Sequence, residues 1–143
     1  MKRTMRILPV LVCLVALAPL TAACKKAANE TAAPVAVRVT ELDLGRSLAP
    51  DKGIADKTSE FRPSDTIYLS VQTEGSAPQA TLLTRWTYQD GQVVKEQTEN
   101  IAAAGKARTE FHIEKPDGWP AGKYSVAVSL NGAAAGTKDF EVK

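Results

Sequence analysis

Apolar and polar side chains alternate along most of the chain after residue 35, which is the period-two pattern of half-buried β-strands. The clearest case is the run from Ile67 to Gln72, where every second residue is aliphatic. The alternation changes phase before Leu42, which predicts a bend or bulge near residues 40–41. The pattern predicts about seven strands, at residues 35–44, 66–72, 80–88, 92–99, 106–114, 124–130 and 137–142.

Turn-forming residues separate most of these strands. Asp90-Gly91 and Asn131-Gly132 are typical of tight hairpins, because these residue types tolerate a positive φ. Residues 35–143 show no helical period, so we predict one all-β domain, an Ig-like antiparallel sandwich of about seven strands. Trp86 on a central strand and Tyr124 at the start of a late one fit its core. A small closed barrel is the alternative, since strand patterns alone do not decide closure.

The first 23 residues have a different pattern. Lys2, Arg3 and Arg6 make the start basic, and residues 7–23 carry no charge. A basic start, an apolar run and small residues before a cut predict a cleaved signal peptide at residues 1–23. A retained membrane helix is the alternative, but the run is at the short limit and contains Pro9 and Pro19.

The end of the leader, Leu20-Thr21-Ala22-Ala23-Cys24, resembles the lipobox of bacterial lipoproteins, with Thr21 where a large aliphatic residue is usual. The resemblance implies that Cys24 is lipidated before cleavage and anchors the mature chain to a membrane. An ordinary secretory cut that leaves Cys24 as a free thiol is the alternative. Residues 24–34 then form the lipidated cysteine and a flexible tether. By the sorting rule of such lipoproteins, Lys25 implies the outer membrane, with the domain facing the periplasm.

Removal of the leader changes both charge and cysteine count. Three of the 18 basic residues and none of the 16 acidic residues lie in the leader, so the net charge falls from +2 to −1. The basic balance of the full chain is therefore no argument for nucleic-acid binding. Cys13 is removed with the leader, and a single remaining cysteine excludes an intramolecular disulfide.

The sequence contains little that points to catalysis. His112 is the one histidine, and it is expected on the solvent face of its strand. One histidine and one lipidated cysteine form neither a nucleophile–base pair nor a metal cluster, so we expect no enzyme activity, no cofactor and no metal. The candidate contact residues for a partner or ligand are Tyr68, Arg85, Tyr88 and Trp119. Trp119 either lies exposed on a loop as a contact or closes the end of the core beside Pro120.

Three segments, residues 65–71, 85–92 and 111–124, together resemble uncharacterised proteobacterial lipoproteins with a single Ig-like domain. The resemblance implies no activity and no functional residues. Two hypotheses follow from the sequence. The first is a non-enzymatic, membrane-anchored lipoprotein that presents an Ig-like interaction module to an envelope protein, with residues 92–99 as an edge strand able to accept a partner's strand. The second is a binding module for cell-wall glycan or a small ligand, which would use exposed aromatic residues.

Overall fold

The computed structural model describes residues 36–143, and the predicted signal peptide, Cys24 and tether lie outside these described residues. The described part consists of strands, turns and loops. The strands are β1 (Arg38–Gly45), β2 (Glu60–Phe61), β3 (Ile67–Glu74), β4 (Ser76–Tyr88), β5 (Val93–Ala104), β6 (Ala107–Ile113), β7 (Gly122–Leu130) and β8 (Ala133–Val142). Within residues 36–143 no helix has the length and apolar character needed to cross a membrane.

The strands form two sheets whose order differs from their order in the chain. One sheet has the order β1-β3-β6, and the other has the order β2-β8-β7-β4-β5. The chain passes from one sheet to the other on each side of β2, between β3 and β4, and on each side of β6. This Greek-key arrangement is that of an Ig-like sandwich. The predicted fold class is therefore confirmed, and the two separate sheets rule out the closed barrel.

Two features of the Ig-like core are present and one is replaced. Trp86, on the central strand β4, is fully buried, and Tyr124 lies near the start of β7. The hydroxyl of Tyr124 donates to the backbone oxygen of Pro120 at 2.7 Å, which is the tyrosine corner of such domains. Two residues later, where antibody domains have a cysteine, the chain has the fully buried Val126. Residues 36–143 contain no cysteine, so no disulfide links the two sheets of the described sandwich.

The core is filled by alternate residues from the facing sheets. Its aromatic centre is a set of edge and stacked contacts in which the ring of Phe140 lies 6.0 Å from Trp86, 5.5 Å from Phe61 and 5.2 Å from Tyr124. Such contacts add to the stabilisation that burial of apolar area already provides. The buried aliphatic residues around this centre are Leu42, Leu44, Ile67, Leu69, Val71, Leu82, Ile113, Val126, Val128 and Val142.

The sequence predicts some strand boundaries and misses others. The pairing register of β1 with β3 shifts between Val39 and Glu41, so the predicted bulge is confirmed. β4 begins at Ser76, four residues before its predicted start at residue 80. The turn between β3 and β4 consists of Gly75, which has a positive φ. Pro78 lies within a register irregularity between Ala77 and Ala80, where a missing N–H does not break the ladder.

β2 is an eighth strand that the sequence pattern does not predict. Its two residues, Glu60 and Phe61, pair in parallel with Glu141 and Val142 of β8. The loop before β2 folds back on the end of β1, where it forms a bridge between Gly45 and Lys57. β2 therefore forms one edge of the five-stranded sheet, beside β8.

Candidate functional site

Trp119 belongs to the core rather than to an exposed surface. Trp119 is only 6% exposed, and its ring lies edge-on to that of Tyr124, with 6.2 Å between the ring centroids. The indole Nε1–H donates to the backbone oxygen of Asp65 at 3.1 Å, so the polar end of the side chain is satisfied inside the protein. Of the two alternatives for Trp119, the structure therefore shows the one in which it closes the end of the core.

The other three candidate contact residues lie on different surfaces. Tyr68 is on the outer face of the three-stranded sheet, with its ring 5.5 Å from that of His112. Arg85 is exposed on the outer face of the other sheet, where its Nε–H donates to the carboxylate of Glu96. Tyr88 is half-buried and donates its hydroxyl to the backbone oxygen of Ala121 at 2.9 Å. These residues do not converge, so they do not form one binding site.

His112 has few neighbours that could support chemistry. It is exposed, and its Nδ1 lies 4.0 Å from a carboxylate oxygen of Glu110. That distance is beyond a hydrogen bond. Among residues 36–143, no three His, Cys, Asp or Glu side chains are grouped so that they could hold a metal ion. The described part of the chain offers His112 no nucleophile or metal partner.

A groove of about 600 Å³ lies on the five-stranded sheet, and we call it the β2–β4 groove. Thr87, Ser125 and Asp139 stand in register across β4, β7 and β8 and form part of its lining. Because their neighbours Trp86, Tyr124 and Phe140 point into the core, strand alternation directs these three to the outer face. Ser59 and Glu60, beside β8, line the groove as well.

The polar groups of the groove are partly ordered by contacts with each other. The hydroxyl oxygens of Thr87 and Ser125 are 3.2 Å apart, which allows a hydrogen bond between neighbouring strands. The backbone N–H of Lys123 donates to the side-chain oxygen of Gln89 at 3.4 Å. Tyr88, the next residue along β4, borders this lining at the end of the strand, but its ring packs on the core side, 4.8 Å from that of Tyr124. The groove therefore combines hydroxyl and amide groups, with an aromatic residue at its border.

Acidic groups outnumber basic groups along the groove. Glu60, Asp139 and Glu141 contribute three carboxylates, against the two ammonium groups of Lys123 and of Lys143, which lies 3.8 Å from Glu141. The ammonium of Lys143 lies 2.6 Å from a carboxylate oxygen of Glu60, and this hydrogen bond holds the pKa of Glu60 below its ordinary value. The groove therefore stays anionic at neutral pH, which suits a basic or neutral hydrogen-bonding ligand and disfavours a phosphate chain.

The groove lies at the end of the sandwich away from the start of β1. Arg38 at the start of β1 pairs with Glu74 at the end of β3, and Gly45 at its other end pairs with Tyr68. The tight turns at Gly75, Gly105 and Asn131-Gly132 belong to the Arg38 end, whereas the Asp90-Gly91 turn and the loops before β2, β3 and β7 belong to the groove end. The seven steps from Arg38 to Gly45 span about 24 Å.

Asp65 connects the loops at the groove end of the sandwich through hydrogen bonds. Its carboxylate accepts from the backbone N–H of Arg62 at 2.9 Å and from the Nε–H of Arg46 at 3.0 Å. These two contacts hold the pKa of Asp65 below its ordinary value, the backbone hydrogen bond contributing most. Its backbone oxygen also receives the Trp119 indole N–H. Sequence patterning did not reveal this role, since it joins three separate loops.

Replacing Asp65 with asparagine is expected to lower the free energy of unfolding by about 1 kcal/mol at pH 7, because charge-assisted hydrogen bonds are lost. A carboxyl with a lowered pKa stabilises the fold above its unfolded pKa, and that stabilisation disappears as the pH falls through the folded pKa. The difference between Asp65→Asn and wild type should therefore shrink below about pH 4. Urea unfolding at pH 7 and pH 3 measures it. Asp117→Asn, at a side chain 92% exposed, is the control, and an equal loss there would contradict this role.

No protein-family model matches the sequence. No curated protein matches it either. Solved structures are similar to it at low identity. An immunoglobulin-like protein from Pseudomonas aeruginosa is 17% identical with a TM-score of 0.49, and the match covers 76% of this chain and 97% of that one. A CARDB domain from Pyrococcus furiosus, solved in complex with di-metal ions, is 11% identical with a TM-score of 0.47, over 77% of this chain and 87% of that one.

An alkylpurine DNA glycosylase from Pseudomonas fluorescens, bound to DNA containing an abasic site analog, is 21% identical with a TM-score of 0.47. The match covers 75% of this chain and 30% of the glycosylase, so this chain spans less than a third of that protein. At such identities and scores the neighbours carry no functional argument. The Ig-like fold itself follows from the strand order, the buried Trp86 and the tyrosine corner of this chain.

Proposed function

We propose that this protein is a non-enzymatic lipoprotein, anchored through Cys24 to the outer membrane, that presents an Ig-like interaction module in the periplasm. The anchor is supported by the leader and by the resemblance of residues 20–24 to a lipobox. The observation that carries the interaction role is the position of the β2–β4 groove, at the end of the sandwich away from the start of β1. An anchored domain would thus present this groove to the periplasm.

The mechanism is presentation of the domain at a membrane surface. Ten tether residues reach at most about 33–36 Å when fully extended. The lipid therefore keeps the domain within a thin layer beside the membrane, which raises its effective concentration for partners in that layer. Arg38 is the fourth residue after the tether in the chain, and β1 runs about 24 Å from it toward the groove end of the sandwich.

The chemistry of the groove indicates a basic or neutral polypeptide segment as partner. Its volume of about 600 Å³ is within the range of sites that hold several side chains or a small molecule. The carboxylates of Asp139 and Glu141 would attract Lys or Arg side chains of the partner, and the hydroxyls of Thr87 and Ser125 would hydrogen-bond with its backbone. The acidic balance would also reject anionic partners.

Site-specific photocrosslinking in the native envelope tests this proposal. A photoreactive amino acid at position 125, inside the groove, is expected to give one main protein adduct that mass spectrometry identifies. The same probe at position 106, in the exposed turn at the opposite end, is the matched control and should give far less of that adduct. Equal yields of the same adduct from both positions, or no adduct from position 125, would contradict a partner in the groove.

A second candidate function, binding of cell-wall glycan, is favoured by the hydroxyl, amide and carboxylate groups that share the groove, with Tyr88 at its border. Aromatic and hydrogen-bonding groups together suit a hydroxyl-rich ligand. Co-sedimentation of the protein with purified peptidoglycan tests it, with Asp139→Ala as the groove variant because Asp139 is exposed. Binding that Asp139→Ala abolishes, together with no protein adduct at position 125, would replace the first proposal with this one.

A further inference from the structure

β5 is a long strand at the edge of the five-stranded sheet. It covers Val93–Ala104 and, within residues 36–143, pairs only with β4. From Lys95 to Ile101 its pairing with β4 is free of irregularities, and this segment contains neither proline nor glycine. One side of this segment therefore presents a regular row of backbone N–H and C=O groups to solvent. Such an edge is a template for another strand unless charge or shape prevents pairing.

The charged residues of this edge are not all equivalent. The carboxylate of Glu96 is already bound by the guanidinium of Arg85 on the neighbouring strand. Lys95 and Glu99 are exposed, and neither has an ion-pair partner within the described residues 36–143. They lie four residues apart, with Gln97 midway between them. Because they pair with the buried residues Trp86, Thr84 and Leu82 of β4, all three project from the core-side face at the edge of the sheet. There the side-chain amide of Gln97 donates to the backbone oxygen of His112 at 3.2 Å.

We propose that β5 pairs with β5 of a second copy of this chain, antiparallel, around a two-fold axis at Gln97. In this register Lys95 lies opposite the partner's Glu99 and Glu99 lies opposite the partner's Lys95, so two opposite-charge pairs form across the seam. Opposite charges directly across an antiparallel pair are stabilising, and like charges are destabilising. The interface is isologous, so it closes after two copies.

Other registers of the same edge do not pair the charges. A two-fold axis normal to the sheet keeps each side chain on the same face of the sheet, and residues that face each other across the seam must also share a face. The axis therefore lies midway between the two copies of one residue, and that residue defines the register. An axis at Glu96 brings two Glu96 side chains together, and an axis at Thr98 places Lys95 opposite the partner's Ile101. Within this segment, Gln97 is the centre that satisfies both Lys95 and Glu99. The charges thus select one register and reject the others.

This pairing is independent of the proposed function. In the order β2-β8-β7-β4-β5, the strand β5 lies at the opposite edge from β2, and the β2–β4 groove stays open when β5 is covered. A dimer would therefore present two grooves on one continuous sheet. Failure of the dimer would leave the groove proposal unchanged, and failure of the groove would leave the dimer unchanged.

A charge-swap series on the full chain, purified in mild detergent and followed by sedimentation velocity over a range of concentrations, tests the dimer. Wild type is expected to dimerise, and added salt should weaken the dimer. Lys95→Glu and Glu99→Lys each turn two attractive pairs into repulsive ones and should raise the dissociation constant by about tenfold or more. The double variant, and an equimolar mixture of the two single variants, restore opposite charges and should dimerise like wild type.

Lys106→Glu is the matched control, since Lys106 is exposed in the turn after β5 and outside the proposed seam. It should dimerise like wild type, and urea unfolding should show that every variant is folded. Formation of a disulfide between two copies of Gln97→Cys would show directly that the two-fold axis lies at residue 97. A wild type that remains monomeric at all concentrations would overturn the proposal. So would single variants that dimerise unchanged, or a double variant that fails to recover.

Discussion

Replacing Trp86 with alanine is expected to lower the free energy of unfolding by about 3–5 kcal/mol. Trp86 is fully buried at the centre of β4 and contacts the aromatic cluster through Phe140. The change removes a large apolar area from the core and leaves a cavity, and no disulfide compensates for the loss. The free energy of unfolding of a domain is typically only about 5–15 kcal/mol, so this loss is a large part of the total. Urea unfolding followed by circular dichroism measures the change.

Arg85→Ala is the control for Trp86→Ala, because Arg85 is the preceding residue on the same strand and its side chain is exposed. Its surface ion pair with Glu96 contributes about 0–1 kcal/mol, so the variant should unfold close to wild type. Trp86→Phe should lie between the two, since it retains a ring and removes an indole N–H that has no hydrogen-bond partner. Similar losses for Arg85→Ala and Trp86→Ala would contradict the placement of the core.

Replacing Cys24 with alanine is expected to move most of the protein from the membrane fraction to the soluble fraction. The thiol is the proposed attachment point for acyl chains, each buried CH₂ of which contributes about 0.8 kcal/mol to membrane binding. Without them the anchor is lost, while residues 36–143 retain the same core. Fractionation of cells, together with metabolic labelling by a fatty acid, measures both the location and the modification.

Cys13→Ala is the matched control, since Cys13 lies in the part of the leader that is predicted to be removed. It should leave labelling and membrane location as in wild type. Because lipidation precedes cleavage, the variant is scored by mass as well as by location. A Cys24→Ala protein that has lost residues 1–23 and still fractionates with membranes would contradict the lipid anchor. A wild type that carries no lipid and keeps residues 1–23 would favour the retained membrane helix, the alternative that the leader sequence leaves open.

Strand alternation predicted most of the fold because each sheet has one buried face. In the run from Ile67 to Gln72 the aliphatic residues face the core, and the same pattern recurs on β4, β6 and β7. β2 was missed because two residues have no period, and their parallel pairing with β8 is a contact across about 80 residues. The β2–β4 groove includes Ser59 and Glu60 at this strand, so strand alternation carries no signal for it.

The candidate contact residues show a different limit of sequence reasoning. Tyr68 and Arg85 are polar-face residues of their strands, but the sequence does not say that these strands belong to opposite sheets. Trp119 follows a turn, and the sequence around it looks the same whether its side chain is exposed or buried. Its burial depends on Asp65, which is 54 positions away and accepts its indole N–H. Only the tertiary structure separates these alternatives.

The central claim is that this Ig-like domain is held at a membrane by lipid on Cys24, and the intact mass of the mature protein from native membranes tests it most directly. The account predicts a chain that begins at Cys24 and is heavier than residues 24–143 by a diacylglycerol and any further acyl chain, with the added mass on the N-terminal peptide. A mature chain with an unmodified Cys24, or one that retains residues 1–23, would contradict it.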